Sequence, residues 1–349
     1  MLYDAVMPSA FITGLSGPAI LAEERVFLRE TDPWGLILFA RNVQNPQQVA
    51  EFVKEFRLIV GRADAPVLID QEGGRVQRLG PPHWPKYPSG GAYGALFAID
   101  RSDGLAMSRL GSRLIGIDLA ALGVTVDALP VADLPIPGAD SVIGDRAYGD
   151  TPETVTALAG AAAEGLMEAG VLPVLKHIPG HGRATADSHK ALPVVETDRQ
   201  TLERTDFVPF RALAYLPMAM TAHVVFTAFD PELPATTSRI MIDRVIRGFI
   251  GFDGLLMSDD VSMEALTGTL GERTAAALAA GCDVALHCNG RMDEMRQVAD
   301  NAPELRGRPH ERAERALATR RRPEPFDVAQ ARAVFAQQMA RVATRAISA

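Results

Sequence analysis

The strongest constraint on the fold is an alternation that runs through most of the chain. A short apolar run is followed by a longer stretch whose apolar residues recur at helical spacing, and the pattern then starts again. Residues 10–14 precede a helical 19–30. Residues 35–39 precede a helix predicted from about Pro46 to Val60, where Val49, Phe52, Val53, Phe56 and Ile59 share one face. Residues 65–70 lead, after a loop rich in Gly and Pro, to a helix over about 102–122, and 124–129 lead through a long loop to the Ala-rich 152–169. In the second half, 171–175 lead to a helix near Asp198, with Thr197 as its cap. The runs 217–225, 254–257 and 282–287 are followed by helical 238–250, 264–280 and 291–301. Eight such units over about 300 residues imply a parallel sheet closed into a (β/α)8 barrel of the TIM type. We expect a single domain, with the barrel over 1–301 and a helical extension, 302–349, packed on its outside. The Arg-rich run of that extension reads as a solvated face.

Composition narrows the partners. Of 349 residues, 47% are hydrophobic and 22% charged, as in a soluble globular protein with a large core. Acidic residues outnumber basic ones, 43 to 35, and the net charge of -8 argues against nucleic acid or an anionic membrane as a partner. Cys282 and Cys288, six positions apart along one predicted strand, are too distant to bridge and read as reduced core thiols of a cytoplasmic protein. The N-terminus lacks the basic and apolar regions of an export signal, and no apolar run reaches the roughly 18 residues needed to span a membrane. Nothing in the sequence fixes an oligomeric state, and a monomer is compatible with it.

Chemistry concentrates in 171–196, VLPVLKHIPGHGRATADSHKALPVVE. A buried strand empties through Lys176 and His177 into a loop broken by Pro179, Gly180 and Gly182 that carries His181, Asp187 and His189. Residues two apart in an extended or turned segment point the same way, so Asp187 can orient the His189 imidazole and favour its charged form. That makes a proton donor for chemistry near neutral pH, although an Asp–His pair that only braces a loop fits the pattern equally well. The histidines are also of metal-ligand type. Pro179 and Gly180 remove the helical i, i+4 geometry between His177 and His181, so a metal site is not expected, nor is a cofactor.

In such barrels the active site forms at the C-terminal ends of the strands. Those ends carry Asp70, Asp127, Lys176 with His177, His223, Ser258-Asp259-Asp260 and Asn289. Asp70 opens DQEGGRVQRL, whose Glu72, Arg75 and Arg78, with Arg146 from a later loop, suit hydrogen bonding to the hydroxyls of a sugar. For Arg75 and Glu72 individually, a part in a buried Asp–Arg pair that closes the loop fits at least as well. Only one of Asp259 and Asp260 can face the barrel axis, leaving one as a candidate nucleophile toward an anomeric carbon and the other as its support.

Together LKHIPGHG, ADSH, DQEGGRVQR, GDRAYG, MSDDVSM and AGCDVALHCN resemble the family-three glycoside hydrolases, specifically the cytoplasmic β-N-acetylglucosaminidases of peptidoglycan recycling, the NagZ type. The resemblance implies Asp259 as nucleophile, His189 as general acid/base with Asp187 as its partner, and Asp70, Arg78, Arg146, Lys176 and His177 as sugar-contacting residues. It implies retaining removal of terminal β-linked N-acetylglucosamine from small muropeptide substrates. Ile178 departs from the Phe usual in this motif, which predicts altered loop packing and unchanged chemistry. A broader β-glucosidase, a glycoside phosphorylase or a non-catalytic sugar-binding protein are the other readings, although the last should have lost the nucleophile or the Asp–His pair.

Overall fold

A computed structural model describes residues 7–184, 186–188, 191–323 and 325–348. Eight parallel strands close into a barrel, as the alternation implies. They are β1 (Ser9–Thr13), β2 (Pro33–Leu38), β3 (Val67–Ile69), β4 (Val126–Asp127), β5 (Leu172–Ile178), β6 (Met218–Thr221), β7 (Leu255–Asp260) and β8 (Val284–His287). Each strand pairs with the next in sequence, and β8 closes on β1.

Side chains alternate across the sheet and so build two cores. Ile12, Leu68, Val126, Leu172, Val174, Met218, Met220, Leu255, Met257, Val284 and Leu286 pack together inside the barrel. Their neighbours Phe11, Val67, Ile69, Leu175, Ala219, Leu256 and Ala285 join the apolar faces of the surrounding helices. In helix Pro46–Val60 the face turned inward carries Val49, Phe52, Val53 and Phe56, and each such side chain stabilises the fold by about 1.5–3 kcal/mol. Pro46 at its first turn, an Asn45 side chain accepting from the Gln48 N–H, and Gly61 at φ 68° set its ends.

Three local expectations change. The cap of helix Arg199–Arg204 is Asp198, which accepts from the Thr201 N–H, and not Thr197. A helix, Gly90–Ile99, occupies what its glycines suggested was loop. Those glycines let it lie directly on the backbone of the loop behind it, since a Cβ at Gly90 or Gly94 would stand 2.2 Å from Arg146 O or 2.1 Å from Tyr148 O. The loop that carries Arg146 is thereby fixed from behind. Finally, the Arg-rich stretch does more than face solvent. Arg312 of helix Gly307–Ala318 is largely buried and bonds Asp283 at 3.1 Å and Asp253 at 2.8 Å, while Arg332 of helix Val328–Ser348 reaches Asp118 at 2.7 Å.

Candidate active site

The inward face of each strand continues past its last apolar residue into a cavity of about 320 Å³ at the C-terminal end of the barrel. Two residues beyond Leu68 stands Asp70, beyond Val174 stands Lys176, beyond Met257 stands Asp259, and beyond Leu286 stands Cys288, and all four line the cavity above Met220 and Leu286. The period of two that packs the interior thus also aims its polar ends.

Lys176 is the hub. Its ammonium is 2.9 Å from Asp70 Oδ1 and 2.7 Å from Glu72 Oε1, with only 2% of the side chain exposed. Arg78 reaches Asp70 Oδ2 at 3.1 Å, and Arg146 grips Glu72 through Nε and Nη2 at 2.9 and 2.8 Å. Glu72 arrives in a short hairpin, Gln71–Gly73 against Val76–Gln77, turned by Gly73 and Gly74 at φ 93° and 58°. Burial alone would raise both carboxyl pKa values, but the cations outweigh it. Asp70 is pushed well below the carboxylate range, mainly by Lys176 and then Arg78, and Glu72 falls to about 2 under Lys176 and Arg146. Lys176 is raised in return by the two acids, against its own burial. Three cations favour the ionised form of both carboxylates, and the fan of donors and acceptors around Asp70 suits the hydroxyls of a sugar ring.

Across from this cluster, the Asp260 N–H donates to Asp259 Oδ1 at 2.8 Å. Asp260 itself accepts from the Ser262 N–H and Oγ–H at 3.0 and 2.7 Å and from the Cys288 N–H at 3.2 Å, so it braces the loops after β7 and β8. Both Asp259 and Asp260 line the cavity, which corrects the expectation that only one of the two could face it, and the hydrogen bonds single out Asp260 as the braced one.

Asp187 lines the same cavity. His189 lies outside the described residues. His177 lines the cavity with its Nδ1 2.7 Å from Asp133 Oδ2. It lines the cavity although Lys176 beside it does so too, and the pairing of β5 with β6 slips between Lys176 and Ile178. Asp133 is fully buried, and its carboxyl is held below the usual range because His177 overcomes the upward push of burial.

Several strand-end residues are not in the cavity. His223 is buried behind it between Thr236 Oγ1 and Asp260 O, and Asn289 donates to Glu294 at the exposed surface. Asp127 is buried beneath the site, where it accepts from the Gln71 N–H at 2.9 Å and holds the segment that follows Asp70, and desolvation raises its carboxyl well above the normal range. Arg75 lines the rim, bonding carbonyls of 141–143 and Asp145. Cys288 corrects the expectation of a core thiol, since it lines the cavity, and both cysteines are free. Phe39, Asp133 and Ser188 were not expected at the site. Phe39 and Cys288 could have been found by counting two residues past Ile37 and Leu286, whereas Asp133 and Ser188 carry no such signal. Among the described residues, no group of three or more His, Cys, Asp or Glu is placed to hold a metal ion.

A strand-end carboxylate facing a charge-braced cavity at the mouth of a (β/α)8 barrel is an arrangement suited to glycoside hydrolysis. The chain belongs to glycosyl hydrolase family 3, with residues 7–318 matching the family's N-terminal domain. It is 41% identical over 280 residues to a beta-hexosaminidase of Alkalilimnicola ehrlichii, covering 79% of each chain. It is 39% identical over 289 residues to a beta-hexosaminidase of Pseudomonas aeruginosa, covering 82% of this chain and 84% of that one. Among solved structures it superimposes on NagZ from Neisseria gonorrhoeae in complex with N-trifluoroacetyl-D-glucosamine, with TM-score 0.83, 29% identity and coverage of 97% and 98%. A family 3 β-N-acetylglucosaminidase from Paenibacillus matches with TM-score 0.82 and 31% identity over 91% of this chain, which spans 63% of that longer protein.

Proposed function

We propose that the protein is a retaining β-N-acetylglucosaminidase that removes non-reducing terminal N-acetylglucosamine from muropeptides in the cytoplasm, in peptidoglycan recycling. The observation that carries the reading is the placement of Asp259. It continues the inward face of β7 into the cavity that holds the Asp70–Lys176–Glu72–Arg146 cluster and Asp187. The names of the relatives supply the sugar, and two unpaired cysteines agree with a reducing compartment.

In this reading Asp70, Arg78, Arg146, Lys176 and His177 hold the sugar. Arg146 acts largely through Glu72, and His177 is oriented by Asp133. An Asp259 oxygen attacks the anomeric carbon as the bond to the leaving oxygen breaks, and that oxygen takes a proton from His189. Water then attacks the glycosyl ester, gives its proton to His189 and returns the Asp259 carboxylate. Two inversions leave the configuration unchanged. Histidine can replace the usual second carboxylate because its pKa lies near operating pH, with Asp187 steadying the imidazolium. We assign this chemistry to the barrel over 1–301 and treat 302–349 as its helical extension.

Proton NMR of the first sugar released from an N-acetylglucosaminide, run with and without phosphate, tests the proposal. The β anomer of free N-acetylglucosamine is expected under both conditions. An initial α anomer would overturn the mechanism, and a sugar phosphate formed with added phosphate would make the protein a phosphorylase.

A further inference from the structure

We propose that Ser188, His181 and Asp133 form a latch that sets the position of the segment carrying Asp187 and His189, which makes Ser188 and His181 positioning residues for the acid/base step. This inference rests on the assignment of Asp187 and His189 as the acid/base pair.

The observations run in one chain from the barrel to the loop. Asp133 is fully buried just beyond β4, and one oxygen, Oδ1, accepts from the His181 N–H at 2.7 Å and the His177 N–H at 3.2 Å. Its other oxygen, Oδ2, orients the His177 ring. The same carboxylate therefore fixes a residue that faces the sugar and the backbone at the start of the loop. From that fixed point the His181 ring extends to Ser188, with Nε2 3.1 Å from the hydroxyl and both residues buried. Ser188 sits between Asp187 and His189 in sequence. Its carbonyl also accepts from the Ala265 N–H at 3.2 Å, so the segment is tied at one residue to the loop that follows the Asp259 strand. His181 suits this role and not proton transfer. Burial, and then the neighbouring His177, lower its pKa to about 4, and its Nδ1 is buried without a partner among the described residues. It is a neutral strut at the pH at which a His–Asp pair works.

A strut of this kind affects chemistry only through the groups it places. Displacing the acid from the leaving oxygen slows departure of a sugar alkoxide, which needs the proton, more than departure of an aryl oxide, which does not. The test compares kcat/KM on an N-acetylglucosaminyl disaccharide and on its nitrophenyl glycoside for wild type, Ser188→Ala, His181→Gln, the double variant and His189→Ala. Losing one neutral hydrogen bond sets the scale for Ser188→Ala at about a tenfold loss on the disaccharide and about threefold or less on the aryl substrate. His181→Gln should show the same split. The double variant should be no worse than the more damaged single one, because both changes open the same latch.

Equal losses on the two substrates, wild-type rates for Ser188→Ala, or additive losses in the double variant would each overturn the latch. If Ser188→Ala does not fold, the split in His181→Gln alone decides. His189→Ala separates the two levels of the argument. A split there with none in Ser188→Ala removes the latch and keeps the acid/base assignment, whereas no split in His189→Ala removes both.

Discussion

Glu72→Gln should destabilise the protein by about 3 kcal/mol at neutral pH, and the loss should fade as the solution is acidified. The replacement keeps the shape of the side chain and removes its charge. In the native protein the carboxylate, with 5% of its side chain exposed, receives the Lys176 ammonium at 2.7 Å and both arms of Arg146 at 2.8 and 2.9 Å. Burial opposes ionisation, but these partners win and bring the pKa from 4.5 to about 2. Linkage converts that fall into about 3 kcal/mol of native-state stabilisation. The sign follows from which state holds the proton more tightly. Between pH 4.5 and 2 the unfolded carboxyl is protonated while the folded one is still ionised, so the stabilisation is complete above 4.5 and is lost as pH falls through 2. The gap between wild type and Glu72→Gln should therefore be constant from pH 7 down to about 5 and then narrow. Urea denaturation at several pH values from 7 to 3, followed by circular dichroism, measures it. A gap below about 1 kcal/mol at pH 7, or one unchanged down to pH 3, would refute the view that the cations dominate burial at this site. Activity should fall too, since Arg146 and Lys176 lose the acid that aims them.

Asp259→Ala should abolish nearly all turnover while leaving the melting temperature close to wild type, because this side chain serves the cavity. Asp260→Ala should do the converse, retaining more turnover but losing about 1–3 kcal/mol of stability with its three accepted hydrogen bonds, as thermal unfolding would show. The opposite ranking in turnover would make Asp260 the nucleophile. His189→Ala should harm a disaccharide far more than a nitrophenyl glycoside in kcat/KM, with Asp187→Ala weaker in the same sense. Cys288, a thiol kept protonated by burial and by the carboxylates of Asp260, Asp70 and Asp259, should react slowly with iodoacetamide at pH 7 and more slowly still with N-acetylglucosamine bound, as mass spectrometry would report.

How far the site could be read from the sequence depends on one periodicity and one interruption of it. The eight strands were legible because buried parallel strands are short apolar runs set between long amphipathic helices, and the match to family 3 rests on motifs that sit at their ends. Choosing strand ends by eye, however, mixes both faces of the sheet. Counting by twos along the interior residues retains Asp70, Lys176 and Asp259, adds Phe39 and Cys288, and sets aside His223 and Asn289, which bond Thr236 and Glu294 outside the cavity. Helix Gly90–Ile99 was missed for a related reason, since glycines needed for close backbone approach look like loop punctuation when the opposing backbone is unknown. Ile178 shows the same logic from the other side. It is fully buried in the outer core and does not line the cavity, a place where an exchange for the usual Phe bears on packing. His177 is where counting fails. It lines the cavity next to Lys176 at the point where the strand pairing slips, with its ring held by Asp133. The interruption of the pattern thus falls where the cavity-lining end of β5 passes into the loop that carries Asp187.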